Sequence, residues 1–197
     1  MRRLVAWPLL FATALLAGAC ASPAAHFYTL TATAAGAGGA APAKVSVAVG
    51  PVTVPATVDR PQIVVQAGAN ELAVDEYHRW AAPLQDNVAR VVAENLVALL
   101  GTPRVTLFGQ SLATDVDFRV QIEIRGFESA PGKSAALDAV WSLRRMKDGK
   151  GETGRTSVRE NVADGGYGAL AAAHSRALAQ LSRDIADALR TLDRTSR

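Results

Sequence analysis

Two stretches of the chain repeat apolar residues at three- and four-residue steps, which is the spacing of one face of an α-helix. The first follows Pro83, a residue suited to the first turn of a helix, and stops at Gly101. The second runs from about Gly168 to Leu192. The apolar positions are Leu84, Val88, Val91, Val92, Leu96, Leu99 and Leu100 in the first stretch and Tyr167, Leu170, His174, Leu178, Leu181, Ile185, Leu189 and Leu192 in the second. This pattern predicts two long amphipathic helices.

Three segments in the second half alternate apolar and polar residues, as a strand with one buried face does. Residues 116–125 alternate strictly. Residues 137–143 repeat the pattern after a turn at Pro131-Gly132, and residues 153–162 follow a turn at Asp148-Gly149. The spacing predicts an antiparallel meander.

Shorter strands are predicted in the first half of the chain and between the helices. Residues 44–52 should form the first core strand and end at a Gly-Pro pair. Residues 63–66 and 71–74 flank a Gly/Asn turn and predict a hairpin, and residues 105–108 predict a short strand. The order of elements predicts a single α/β domain, in which a mixed, largely antiparallel sheet of about five or six strands packs against two long helices.

The first twenty residues have the organisation of a bacterial signal peptide. Arg2 and Arg3 precede an apolar run that is too short to span a bilayer, which needs about 20 residues. Small residues follow and lead to Cys20, the only cysteine of the chain. We expect a signal peptide at residues 1–19 and a covalent lipid on Cys20. The alternative is an ordinary cleavable signal followed by a chance cysteine.

A segment rich in alanine, glycine and proline follows Cys20 and can bury too little surface to fold alone. It predicts a lipidated, flexible linker at residues 20–43 before a domain at residues 44–194. Residues 26–30 are the exception, because their aromatic and β-branched side chains favour an edge strand added to the domain.

The charge and the motifs exclude several classes of function. The net charge of +3 includes Arg2 and Arg3, and without residues 1–19 it falls to +1, which gives no indication of nucleic-acid binding. His26, His78 and His174 have no second ligand at metal-binding spacing, and His174 is expected to be a core or interface histidine. The sequence has no phosphate-binding loop, nucleophile elbow or dinucleotide fingerprint. We therefore expect no enzyme, no metal and no cofactor besides the lipid.

Two segments carry unusual charged and aromatic residues between apolar elements. Residues 54–63 contain Asp59 and Arg60, and residues 76–84 contain Arg79 and Trp80. In a purely structural interpretation the first pair organises a turn, Trp80 packs beside the helix start, and Glu76 pairs with Arg79. In a functional interpretation both loops lie together at one end of the sheet and bind a protein partner, since Trp and Arg are enriched in interface hot spots.

The same segments, Asp59-Arg60-Pro61-Gln62-Ile63 and Arg79-Trp80-Ala81-Ala82-Pro83-Leu84, follow each other behind a signal peptide and cysteine. With them the chain resembles the ABC-type transport auxiliary lipoproteins, the family of PqiC-like intermembrane transport lipoproteins. Further matching blocks are Phe27-Tyr28-Thr29-Leu30, Val49-Gly50-Pro51-Val52-Thr53-Val54-Pro55, Asn70-Glu71-Leu72, Ala93-Glu94-Asn95-Leu96 and Ala172-Ala173-His174-Ser175-Arg176-Ala177-Leu178.

The resemblance implies an α/β fold and a non-enzymatic periplasmic lipoprotein that docks an MCE-domain protein and its ABC transporter during lipid transport between the inner and outer membranes. It implies outer-membrane anchoring, because Ala21 stands where an aspartate would favour inner-membrane retention. Asp59, Arg60, Arg79 and Trp80 are the candidate partner-binding residues. A periplasmic lipid-binding carrier and a lipoprotein regulator of a cell-wall enzyme are the alternatives, and homo-oligomerisation stays open.

Overall fold

The computed structural model describes residues 23–36, 43–110 and 115–194. The predicted signal peptide and Cys20 lie outside the described residues. The strands are β1 (His26–Tyr28), β2 (Val47–Thr53), β3 (Gln62–Gly68), β4 (Glu71–Trp80), β5 (Val105–Leu107), β6 (Phe118–Ala130), β7 (Ser134–Arg145) and β8 (Gly151–Asn161), and the helices are α1 (Leu84–Leu100) and α2 (Tyr167–Arg194).

The larger sheet has five strands in the order β5-β2-β6-β7-β8. The central strand β6 pairs in parallel with β2 and antiparallel with β7, while β5 and β8 form the two edges. The predicted meander is confirmed as β6, β7 and β8, with Ile122 opposite Trp141. The mixed sheet predicted from the strand pattern is therefore present.

The sequence predicted that the first core strand ends at the Gly-Pro pair, and this prediction was wrong. Strand β2 continues through it to Thr53, with a shift of register against β6 between Val49 and Val52. Gly50 has a φ of 120°, which residues with a side chain rarely adopt. A glycine at this position allows the strand to bulge and then resume its pairing.

The predicted hairpin belongs to a second, three-stranded sheet in the order β1-β4-β3. Strands β3 and β4 pair antiparallel around a turn at Ala69 and Asn70, and β1 joins the other side of β4 in parallel. The edge strand expected at residues 26–30 is thus confirmed as β1, although it extends this smaller sheet. The pairing of β1 with β4 joins residues about 50 positions apart, and hydrophobic periodicity carries no signal for such a partner.

Both predicted helices are present in the described residues, and they contact each other and the larger sheet. Pro83 lies at the N-cap of α1 rather than in its first turn, and its carbonyl accepts hydrogen bonds from the backbone N–H groups of Asp86 and Asn87. Gly101 ends α1 in the left-handed conformation. No helix in the described parts of the chain combines the length and the apolar character needed to cross a membrane.

Part of the segment expected to be a linker instead packs on the domain. Leu30 is fully buried in the core. Asn95 Oδ1 in α1 accepts hydrogen bonds from the backbone N–H groups of Thr33 (3.1 Å) and Ala34 (2.9 Å), and Ser175 Oγ in α2 accepts one from Thr31. Residues 26–36 are therefore held by both helices, through polar side chains that reach the backbone of a sequence with little apolar surface of its own. Residues 37–42 lie outside the described residues.

Candidate docking site

The loop between β2 and β3 contains Asp59 and Arg60, and its own backbone hydrogen bonds close it. The carbonyl of Pro55 accepts bonds from the N–H groups of Val58 (3.0 Å) and Asp59 (3.1 Å), and the carbonyl of Val58 accepts one from Arg60 (2.9 Å). Val58 is buried, whereas Asp59 and Arg60 are exposed. The loop thus anchors one apolar side chain and presents two charged residues to solvent.

The second segment singled out by the sequence, residues 76–84, contacts this loop. The backbone N–H of Trp80 donates a 2.7 Å hydrogen bond to the carbonyl of Pro61, and Gln62 pairs with Arg79 at the start of β3. Glu76 lies beside both, since it forms a 3.6 Å ion pair with Arg79 and its Oε2 accepts a 3.1 Å bond from Gln62. The structure therefore joins the two segments that the sequence singled out into one corner of the small sheet. We name residues 55–61 together with residues 76–80 the docking corner.

Trp80 supports the docking corner from inside, because only 5% of it is exposed. Its ring meets the edge of Phe127 with centroids 6.1 Å apart, and Phe127 stacks on His174 at 3.7 Å. Ser129 Oγ and His174 Nε2 are joined by a 2.8 Å hydrogen bond. A column of rings thus runs from the corner across β6 to α2, and Trp80 has too little exposed surface to contact a partner directly.

His174 is a fully buried core histidine, as the apolar pattern of α2 predicted. Burial lowers its pKa from 6.5 to about 3, so the ring is neutral at ordinary pH. Its Nδ1 has no hydrogen-bond partner among the described residues. The Ser129–His174 pair combines a hydroxyl and an imidazole, and both residues are buried.

A groove of about 240 Å³ lies beside the exposed part of the docking corner. The loop between β2 and β3, the β3–β4 hairpin and β6 form its walls. The lining includes the apolar residues Pro55, Val58, Leu72 and Phe127 next to the polar Arg125 and Glu128. The corner therefore contains a small, partly apolar groove, and its lining residue Val58 directly precedes Asp59 and Arg60 in the chain.

Sequence reasoning missed a cluster of rings behind β4, at the start of α2. His78 stacks on Tyr167 with centroids 4.0 Å apart and on His26 at 5.1 Å, and a 2.6 Å hydrogen bond joins its Nδ1 to the hydroxyl of Tyr28. The hydroxyl of Tyr167 donates a 2.8 Å bond to Asp75. Only the topology brings these residues together, so no sequence spacing could have indicated the cluster.

The electrostatics of this cluster follow from the Tyr167–Asp75 bond. Partial burial, and then the hydrogen bond to the Asp75 carboxylate, raise the pKa of Tyr167 to about 12. Burial acts to raise the pKa of Asp75, but hydrogen bonds from Tyr167 and from the backbone of Tyr77 and His78 outweigh it and lower that pKa. Although His26 and His78 are neighbours, the described residues contain no group of three or more potential ligands that could hold a metal ion.

The protein is a small α/β domain that carries an exposed, charged loop, and the buried ring of Trp80 packs beneath this loop. Residues 28–186 match the family described as the ABC-type transport auxiliary lipoprotein component, and the chain belongs to this family. Its members are lipoproteins of transport systems, so the protein is a membrane-associated auxiliary component whose partner is a transporter. No curated protein matches this sequence.

Two solved structures support the fold. Protein XCC0632 from Xanthomonas campestris, of the DUF330 family, is 19% identical with a TM-score of 0.72, and the match covers 88% of this chain and 100% of that chain. An uncharacterised protein is 18% identical with a TM-score of 0.68, and the match covers 84% of this chain and 98% of that one. The PelC dodecamer from Paraburkholderia phytofirmans reaches a TM-score of 0.42 at 10% identity over 78% of this chain and 90% of its own.

Proposed function

We propose that this protein is the docking lipoprotein of an MCE-type ABC system that transports lipid between the inner and outer membranes. A lipid on Cys20 anchors it to the periplasmic face of the outer membrane. The domain itself has no enzymatic role and binds the MCE-domain protein of its transporter at the docking corner. Asp59 and Arg60 contact that partner, while Arg79 and Trp80 hold the loop in place.

The observation that carries this proposal is the arrangement of the docking corner in a chain of the auxiliary lipoprotein family. Membership of this family indicates that the partner of the protein is a transporter. The corner supplies the surface, because Asp59 and Arg60 are exposed on a loop that is fixed by its own hydrogen bonds and by the bond from Trp80 to Pro61. Such preorganisation reduces the loop ordering that binding would otherwise cost.

A lipid carrier would need an apolar cavity of roughly 300 Å³ or more. A cleft of about 700 Å³ lies near the C-terminal end of α2, but its walls include the ionised side chains of Lys44, Asp117, Arg145 and Asp148. An acyl chain placed there would remove water from these charges at a large cost. This cleft therefore does not support the carrier function.

Cross-linking followed by mass spectrometry tests the proposal. The full-length protein is expressed in a bacterium that carries its transporter, lightly cross-linked, extracted from the membranes with mild detergent and purified. The expected result is recovery of an MCE-domain protein and its ABC permease, together with a lipid-modified Cys20 in outer-membrane fractions. Recovery of a cell-wall synthase without a transporter, or of phospholipid alone, would contradict it.

A pair of variants connects the result to the docking corner. Arg60→Ala should reduce recovery of the MCE-domain protein, because it removes an exposed guanidinium from the loop. Lys150→Ala, in the exposed turn between β7 and β8, removes a comparable charge at another place and should leave recovery unchanged. Equal recovery of the MCE-domain protein with both variants would show that the docking corner is not part of the interface.

A further inference from the structure

The distance between the lipid anchor and the folded domain is short. Strand β1 begins at His26, six residues after Cys20. Six residues span at most about 20 Å even when fully extended. The flexible linker expected up to residue 43 would have allowed a much larger separation, but the chain has already joined the domain at β1.

Several contacts hold β1 and the residues after it in place. The carbonyl of Tyr28 accepts a 2.8 Å hydrogen bond from the N–H of Ala81, and the carbonyl of Leu30 accepts a 2.6 Å bond from Arg90 Nη2. Leu30 is itself fully buried. Lengthening the tether would require breaking these bonds and exposing Leu30, so a lipid on Cys20 holds β1 close to the membrane.

The small sheet presents aromatic side chains on the face that points away from the domain. Phe27 is 64% exposed and Tyr77 is 45% exposed. Phe27 pairs with Arg79 across the two strands, and Tyr77 lies two residues before Arg79 on the adjacent strand, so both exposed aromatic residues belong to the β1–β4 pair. Large exposed apolar residues that lie together mark an interaction surface.

We propose that the face of the small sheet that carries Phe27, on its edge strand β1, lies on the bilayer that carries the lipid of Cys20. The proposal rests on the anchoring in the proposed function. Its support is the short tether together with the aromatic pair, since aromatic rings favour the interface between lipid and water. Insertion of Phe27 and Tyr77 orients the domain and fixes the docking corner near the membrane surface.

Charge has a small role in this contact. The cation of Arg79, the basic group nearest to Phe27 across the strands, is already paired with Glu76 at 3.6 Å. We therefore expect burial of aromatic surface to hold the face on the membrane, with little dependence on anionic lipid or on salt.

Tryptophan fluorescence quenching tests the contact. The full-length protein is produced in a lipoprotein-processing bacterium, purified in detergent and reconstituted into vesicles of phosphatidylethanolamine and phosphatidylglycerol, with or without bromine on the upper acyl chains. Phe27→Trp places a reporter on the proposed face. Phe108→Trp is the matched control, because Phe108 is 46% exposed and follows β5 in the other sheet. Trp80 and Trp141 are buried and give a constant background.

The proposal expects bromine to remove most of the added emission of Phe27→Trp and none of that of Phe108→Trp, equally at low and high salt. Flotation of the vesicles reports the anchor separately. Protein that floats without quenching at residue 27 would overturn the membrane contact, leave the anchor intact and assign the aromatic face to a protein partner. Quenching at both positions would overturn the proposal that the domain has one fixed orientation on the membrane. Protein that fails to float would instead contradict the anchor itself, and the contact that rests on it.

Discussion

The backbone N–H of Trp80 donates a 2.7 Å hydrogen bond to the carbonyl of Pro61. This bond joins the end of the Asp-Arg-Pro loop to the last residue of β4, and it connects the two segments that stand out in the sequence. Because the Trp80 ring then packs on Phe127, the exposed loop is linked through one residue to the core and to α2. The position of Asp59 and Arg60 thus depends on a residue that is itself almost fully buried.

Trp80→Ala should lower the free energy of unfolding by about 3–5 kcal/mol, because it leaves a cavity beside Phe127. Urea denaturation followed by circular dichroism measures the change. Arg60→Ala is the matched control in the same corner and should stay within about 0.5 kcal/mol of the wild type, since its side chain is exposed. If the two variants lost equal stability, Trp80 would not be the support of the corner.

Asn95→Ala should release residues 31–36 from the domain. The change leaves the N–H groups of Thr33 and Ala34, together with the hydroxyl of Ser182, without their bonds to the Asn95 amide. Loss of such buried partners costs about 1–3 kcal/mol. Hydrogen exchange at residues 31–36 should accelerate markedly while exchange in β6 and β7 stays slow.

Val97→Ala is the control for this prediction, because Val97 lies in the same helix with its side chain partly exposed. It should leave exchange at residues 31–36 unchanged. Equally fast exchange at these residues in the wild-type protein would show that the segment is not held by α1.

The stability of the domain should fall as the pH is lowered from about 6.5 towards 3. His174 is neutral in the fold with a pKa of about 3, whereas in the unfolded chain it binds a proton near its ordinary value of 6.5. Below 6.5 the unfolded state therefore gains a proton that the native state excludes. This contributes a loss of up to about 1.4 kcal/mol for each pH unit.

Urea denaturation at several pH values, for the wild type and for His174→Gln, isolates this effect. The variant keeps a polar group near Ser129 but does not titrate, so its stability should depend less on pH between 6.5 and about 4. The difference removes the contributions of His26 and His78, which both proteins share. Identical pH profiles would mean that His174 is accessible to protons in the native state.

Gly154→Ala should destabilise the domain by about 1–3 kcal/mol, the usual cost of overpacking. Gly154 pairs with Trp141 across β7 and β8, and a Cβ there would overlap the indole ring. Gly165→Ala is the control, because a Cβ at Gly165 meets no other atom within 4 Å. Thermal unfolding distinguishes the two. Adding Trp141→Leu to Gly154→Ala should restore part of the stability lost in the single variant. Equal melting temperatures for the two alanine variants would contradict this account of the pair.

The two helices and the meander were predictable because each buries one face and repeats its apolar residues at a fixed period. Leu84 to Leu100 and the alternation from Phe118 onward show that signal directly. The attachment of residues 31–36 to the domain was not predictable, since Asn95 and Ser175 hold them through their backbone and leave no apolar pattern.

The docking corner was predictable in part. Asp59, Arg60, Arg79 and Trp80 stood out by residue type, and the structure brings their two segments together. The sequence could not predict that Trp80 is buried while Asp59 and Arg60 are exposed. The burial of Trp80 depends on its contact with Phe127 of β6, which is distant in sequence. The ring cluster around His78 had no sequence signal for the same reason.

Site-specific photo-cross-linking in cells tests the central claim most directly. A photoreactive amino acid replaces Arg60 in the docking corner or, in a second strain, Lys150 in the distant β7–β8 turn, and the adducts formed on illumination are identified by mass spectrometry. The docking function predicts an adduct with an MCE-domain protein from position 60 and none from position 150. An adduct of position 60 with a cell-wall synthase, or MCE adducts from position 150 alone, would contradict it.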